Sequence, residues 1–285
     1  MSPERDPLEP EHFERSVRGR TLRGEALGEG PPVVLAHGLT ATRRYVLHGS
    51  RALPRKGFHV ASYDARGHGS SDPAPEGEGY GYEFLAADLG EIADEVAGDG
   101  RVMLVGHSMG AHTVAAWALA NPERVGAAVF AGPATIGLEP PADVLAEWDE
   151  LADGLEGGIE GFLGVQVRQG LAPEWQEPIQ RFTRARLRAH EHLGAVAQAL
   201  REVPRSVPFD GIGELENLDA PALVVASHDV ADPAHPYAVA EAWTEALPNA
   251  RLISEAEGEA PLAWKGGKLS REIARFAAEA GFAET

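Results

Sequence analysis

Six short apolar runs, separated by helical patterns, limit the architecture of this chain more than any other feature. The runs are Val33–Ala36, His59–Tyr63, Val102–Val105, Val125–Phe130, Ala222–Ala226 and Arg251–Ile253. Continuous apolar runs of this length suit strands buried on both faces, as in a parallel sheet covered by helices. Residues 82–97 and 111–120 read as helices between them, the second closed by Asn121-Pro122. Such alternation predicts an α/β fold with a doubly wound, mostly parallel sheet. The first thirty residues suggest an antiparallel hairpin at one edge of that sheet.

The alternation lapses once. Between about Thr135 and Gly213 no run has strand character, and apolar residues step at threes and fours instead. Val144, Leu145, Trp148, Leu151, Leu155, Ile159 and Phe162 form one such face; Ile179, Phe182, Ala185, Ala189, Leu193, Val196 and Leu200 form another. Residues 139–160 carry eight acids and no base, whereas residues 168–205 carry seven arginines against four acids. This predicts a helical insert whose two halves have opposite charge and can pair. Glycines at 154, 157, 158, 161 and 164 make the first helix discontinuous and the insert a candidate lid. The expected division is a core of residues 1–133 and 213–285, with a helical lid at 134–212.

The chemistry is carried by Gly106-His107-Ser108-Met109-Gly110, which follows the Val102–Val105 strand and opens a helix. A G-x-S-x-G string in that setting holds a serine on a tight turn with its hydroxyl clear of the sheet, and the turn leaves no room for side chains at the two glycines. His37-Gly38-Leu39 follows the first buried strand, where the Leu39 amide could join that of Met109 in binding an oxyanion. Asp64-Ala65-Arg66-Gly67-His68-Gly69-Ser70-Ser71-Asp72 is a glycine-rich turn after the next strand.

With these segments and the Asp232-Pro233-x-x-Pro236 turn, the chain resembles the α/β-hydrolase superfamily from about residue 15 to the end, with the insert at the lid position. The resemblance implies that Ser108 attacks a carbonyl and that a histidine, held by an Asp or Glu, relays the proton. It selects Asp232 as the acid; Asp229 is the alternative, closer to the strand end.

The base departs from the pattern. The resemblance implies a histidine in the loop after the last strand, but Glu259 stands there, and the last histidine of the chain is His235. A carboxylate with an ordinary pKa of about 4.3 is a weak base for a serine hydroxyl. His235, inside the Pro-x-x-Pro turn, can take the role, with Glu259 or Asp229 orienting it; His228 is a weaker candidate. His37, His68, His107, His112, His190 and His192 read as turn, packing or surface residues.

Three functions remain open. The first is a hydrolase of a small ester, lactone or activated carbonyl compound with an unconventional base. The second is a non-hydrolytic lyase or cyclase in which Glu259 exchanges protons. The third is a catalytically inactive small-molecule-binding protein on the same fold.

Composition narrows the partners. There are 25 Lys+Arg against 44 Asp+Glu, a net charge of −19, which disfavours nucleic acid and anionic membranes. The acidic half of the insert argues, weakly, against strongly anionic substrates. Zero cysteines exclude disulfides, thiolate catalysis and cysteine-ligated metals. No cofactor and no metal is implied. The N-terminus lacks the apolar stretch of a secretory signal, and a cytoplasmic monomer or homodimer acting on a small molecule is expected.

Overall fold

The computed structural model describes residues 8–169, 173–228, 232, 234–256 and 259–284, without the side chains of 173–175 and 284. Eight strands form one sheet in the order β1-β2-β4-β3-β5-β6-β7-β8. The edge hairpin is β1 (Glu11–Val17) and β2 (Arg20–Leu27), and β2 lies antiparallel to β4. The remaining strands run parallel: β3 (Pro32–Ala36), β4 (His59–Tyr63), β5 (Val102–His107), β6 (Val125–Ala131), β7 (Ala222–Val225) and β8 (Ala250–Ile253). All six apolar runs are therefore strands.

The period of two explains why these runs are apolar throughout. Val34, Ala36, Leu104, Phe130 and Val224 belong to one buried cluster, and their neighbours Val33, Leu35, Met103, Val129 and Val225 to another. Successive side chains leave the sheet on opposite faces, and each face is covered. Helices α1 (Tyr82–Ala97), α2 (Met109–Ala120) and, after the insert, α7 (Tyr237–Ala246) cover the first face. Helix α8 (Gly266–Glu279) covers the second through Leu269, Ile273, Phe276 and Ala277.

Between β6 and β7 the chain forms α3 (Ala142–Glu156), α4 (Ile159–Arg168), α5 (Pro173–Leu187) and α6 (Leu193–Glu202). The break between α3 and α4 falls at Gly157-Gly158, where Gly158 has φ +98°. A small apolar core of Ala152, Leu155, Phe162, Leu187, Val196 and Leu200 joins these helices, and Leu39 packs against it. Opposite charges pair as their segregation predicts. Arg184 bonds Glu160 at 2.6 Å, Arg201 bonds Asp153 and Glu156 at 2.6 and 2.9 Å, and Arg205 bonds Asp149 at 2.7 Å.

The second apolar face of the insert is not one helix, as its continuous periodicity suggests, but two. The chain breaks after α5 so that His190 can turn inward. Its Nδ1 accepts the Gly69 amide at 2.8 Å and its Nε2–H donates to the Thr40 carbonyl at 3.0 Å. That tie anchors the insert to two loops at the carboxyl ends of the strands. Among the described residues no helix is long and apolar enough to cross a membrane.

Candidate active site

The strand order reverses direction around β3: β4 lies on one side of it and β5 on the other. The loops after β3 and β5 therefore diverge at the carboxyl edge of the sheet, where open α/β sheets form a crevice. Ser108 stands there, between β5 and α2, with φ +53° and ψ −119°. A non-glycine residue at positive φ is strained and persists only where its surroundings hold it. The two flanking glycines supply that hold. A Cβ at Gly106 would fall on the Gly110 carbonyl, and one at Gly110 would fall on the Ala36 carbonyl. Helix α2 thereby starts hard against the end of β3.

The loop after β3 is pinned by its histidine. The buried His37 accepts the Ala65 amide at 2.9 Å on Nε2 and donates from Nδ1 to the Gly38 carbonyl at 2.8 Å. Burial lowers its pKa and keeps the ring neutral. Gly38 lies against the elbow: a Cβ there would come within 3.2 Å of the Ser108 Cβ. Leu39 is the next residue in the chain. The Met109 amide, first of α2 and next to Ser108, has no partner four residues back within the helix.

His235 reaches the same place from the loop after β7. Its Nε2 is 2.8 Å from Ser108 Oγ, and its Nδ1 is 2.8 Å from Asp232 Oδ2. Ser108, His235 and Asp232 thus form one hydrogen-bonded chain, although acid and histidine are only three residues apart. The turn between them is closed by the His235 amide bonding the Asp232 carbonyl at 3.3 Å. Burial raises the pKa of Asp232, but the hydrogen bond and charge of His235, aided by the Ala234 amide, outweigh it and leave the carboxyl below its ordinary value. Asp232 is therefore ionised at neutral pH and oriented to hold Nδ1–H, which leaves Nε2 as an acceptor toward the serine.

Two residues that sequence reasoning passed over make room for this arrangement. Gly132 follows β6 at φ +58°, and a Cβ there would meet the His235 ring at 3.2 Å. Glu255, after β8, accepts the Ser227 hydroxyl at 3.1 Å and the His228 amide at 2.6 Å, so it props the start of the His235 loop. Burial raises its pKa, and these bonds reverse the effect, holding it below the usual carboxylate range. The only signal for Gly132 is its position directly after a buried strand; nothing local marks Glu255.

The other candidates lie elsewhere. Glu259 pairs with Lys265 at 3.0 Å and Lys268 at 2.8 Å, and these lysines pull its pKa down to about 2. That carboxylate is a poor proton acceptor, and no bond joins it to His235. His228 stacks on Tyr237 at 3.9 Å. His107 is buried beside His235, ring centres 5.6 Å apart, and burial lowers its pKa to about 3. His112 accepts the Ala134 amide at 2.9 Å and contacts the Tyr82 hydroxyl at 2.8 Å. His68, in the glycine-rich turn, bonds the Arg66 carbonyl at 2.9 Å. Asp229 lies outside the described residues.

A covered, mostly parallel sheet with a serine elbow at its switch point defines the α/β-hydrolase class of fold. Comparison with known proteins agrees: residues 31–204 match the family model described as alpha/beta hydrolase fold. The chain is 32% identical over 208 residues to the 2-hydroxy-6-oxononadienedioate/2-hydroxy-6-oxononatrienedioate hydrolase 2 of Pseudomonas putida, covering 70% of this chain and 71% of that one. It is similar in structure to a thermophilic esterase from Thermogutta terrifontis, at TM-score 0.74 and 19% identity over 95% of this chain and 99% of that one. The enol-lactonase of Burkholderia xenovorans aligns with TM-score 0.71 and 22% identity over 96% of this chain and all of that one. At these identities the two structures speak for the fold alone. The protein belongs to the α/β-hydrolase fold family and is an enzyme of that fold.

Proposed function

We propose that the protein hydrolyses a small ester, lactone or activated carbonyl compound, with Ser108 as nucleophile, His235 as base and Asp232 as the carboxylate that holds it. The observation carrying this reading is the unbroken bond chain Asp232–His235–Ser108, 2.8 Å at each link. His235 Nε2 takes the hydroxyl proton as Ser108 Oγ attacks the carbonyl carbon, and Asp232 stabilises the imidazolium that results. The Leu39 and Met109 amides receive the negative charge that develops on the carbonyl oxygen. His235 then returns the proton to the leaving group, and water repeats the sequence to free the acid. The similarity to a hydrolase of an oxo-diene dicarboxylate supports a small carbonyl substrate.

The test is a serine-reactive fluorophosphonate probe with a panel of p-nitrophenyl esters. The parent is expected to label at Ser108 and turn esters over, and Ser108→Ala to do neither. Turnover that survives His235→Ala would remove His235 from the mechanism. Absence of both labelling and turnover, with tight binding of an apolar metabolite, would replace the hydrolase with a binding protein.

A further inference from the structure

The arginines of the insert divide into two kinds. Arg184, Arg201 and Arg205 are spent on the acids of α3 and α4. Arg186 forms no hydrogen bond and no ion pair among the described residues, and its Nε is closed off from solvent without a partner. Helical spacing places it one turn beyond Phe182, with its guanidinium carbon 5.8 Å from that ring centre. Phe182 in turn meets Tyr45 edge-on at 5.4 Å, on the helical turn that follows the Gly38–Leu39 loop. The charge of Arg186 acts on Asp232 and on His107, the residue beside Ser108. This cation therefore lies within electrostatic reach of the catalytic groups, on their insert side. Burial lowers its pKa to about 10, so it stays charged at neutral pH.

A buried donor such as this Nε–H, left without an acceptor, is costly, and an arriving anion offsets that cost. The planar fork of a guanidinium fits a carboxylate better than any other side chain does. Asp232 does not serve, because its carboxyl is engaged with His235 and the Ala234 amide. Of the eight acids that argued against anionic substrates, Asp149, Asp153, Glu156 and Glu160 are paired with the other arginines.

We propose that Arg186 recognises an anionic substrate, holding a carboxylate on the acyl portion of an ester or lactone whose carbonyl sits at Ser108. The proposal rests on Ser108 being the nucleophile and adds a substrate class to that reading.

Two p-nitrophenyl esters of equal acyl length test it: the hexanoate, which is neutral, and the adipate monoester, which ends in a carboxylate. The ratio of kcat/KM for adipate over hexanoate is expected to fall about tenfold or more in Arg186→Gln, chiefly through KM for the adipate. Arg186→Lys should restore part of the ratio. Far-UV circular dichroism confirms that each variant is folded; should the Gln variant fail, Arg186→Met and the Lys variant supply the comparison. A ratio that stays within twofold, or two esters that decline in parallel, would overturn the proposal and leave Arg186 a packing residue.

Binding without turnover separates this inference from the hydrolase reading. Adipate dianion should raise the melting temperature of Ser108→Ala and leave Ser108→Ala/Arg186→Gln unshifted. If neither ester is hydrolysed while that shift behaves as expected, the hydrolase reading fails and the anion site stands. If both esters are hydrolysed without discrimination and adipate shifts nothing, the hydrolase reading stands and the anion site fails.

Discussion

The loops after β7 and β8 leave neighbouring parallel strands at the same edge of the sheet, yet they divide their tasks unequally. The β8 loop occupies the place where the family resemblance puts the base, and it carries only carboxylates. Glu259 is neutralised by two lysines, and Glu255 braces the other loop. The β7 loop carries both an acid and a histidine, the histidine bonded to Ser108 and the acid bonded to the histidine. The difference teaches that what a serine needs is an imidazole nitrogen at bonding distance and a carboxylate behind it. Which strand supplies the imidazole is secondary. Asp and His at i and i+3 can meet because the turn between them folds back on itself, with the His235 amide on the Asp232 carbonyl.

The sharpest way to break this comparison is His235→Ala. We expect kcat to fall about a thousandfold or more on a p-nitrophenyl ester, the scale of losing a general base in a triad; a loss below tenfold would return the role to the β8 loop. Gly132→Ala comes next. It adds a methyl against the His235 ring and puts alanine at positive φ, so kcat should fall between about tenfold and a hundredfold with KM little changed. Unaltered kcat in a folded variant would show that the ring does not need that clearance. Glu255→Gln sharpens the supporting role of the β8 loop. Replacing its charge weakens two hydrogen bonds and should lower kcat roughly threefold to tenfold without moving KM, whereas a purely structural part would lower the melting temperature alone. Glu259→Gln should change least, less than about twofold in kcat, since its partners are Lys265 and Lys268. A larger drop would bring Glu259 back as a proton carrier.

Much of the fold was legible because burial on two faces writes itself into composition. The six runs needed no knowledge of their neighbours to be read as strands, and the glycines at 106 and 110 announced the elbow through their spacing. The opposite charges of the insert likewise foretold the pairs made by Arg184, Arg201 and Arg205. Legibility failed where a residue acts through a distant part of the chain. His190 interrupts an apolar face that reads as one helix, because its bonds go to Thr40 and Gly69, more than a hundred residues earlier. Gly132 is one glycine among thirty-three until the His235 ring is seen beside it. Arg186 is one of seven arginines in its stretch, and its closed-off, unpartnered Nε distinguishes it.

The sequence by itself determined the sheet, its parallel sense, the elbow at Ser108 and the absence of any histidine beyond residue 235. These are properties of spacing, periodicity and count, which survive without a third dimension. The tertiary structure decided that His235, and not Glu259, meets the Ser108 hydroxyl, and that Asp232 stands behind it. Such a choice depends on how two loops leave adjacent strands and on which side chains find partners on the way. Lys265 and Lys268 hold Glu259 away, while the open flank of Gly132 lets the imidazole in.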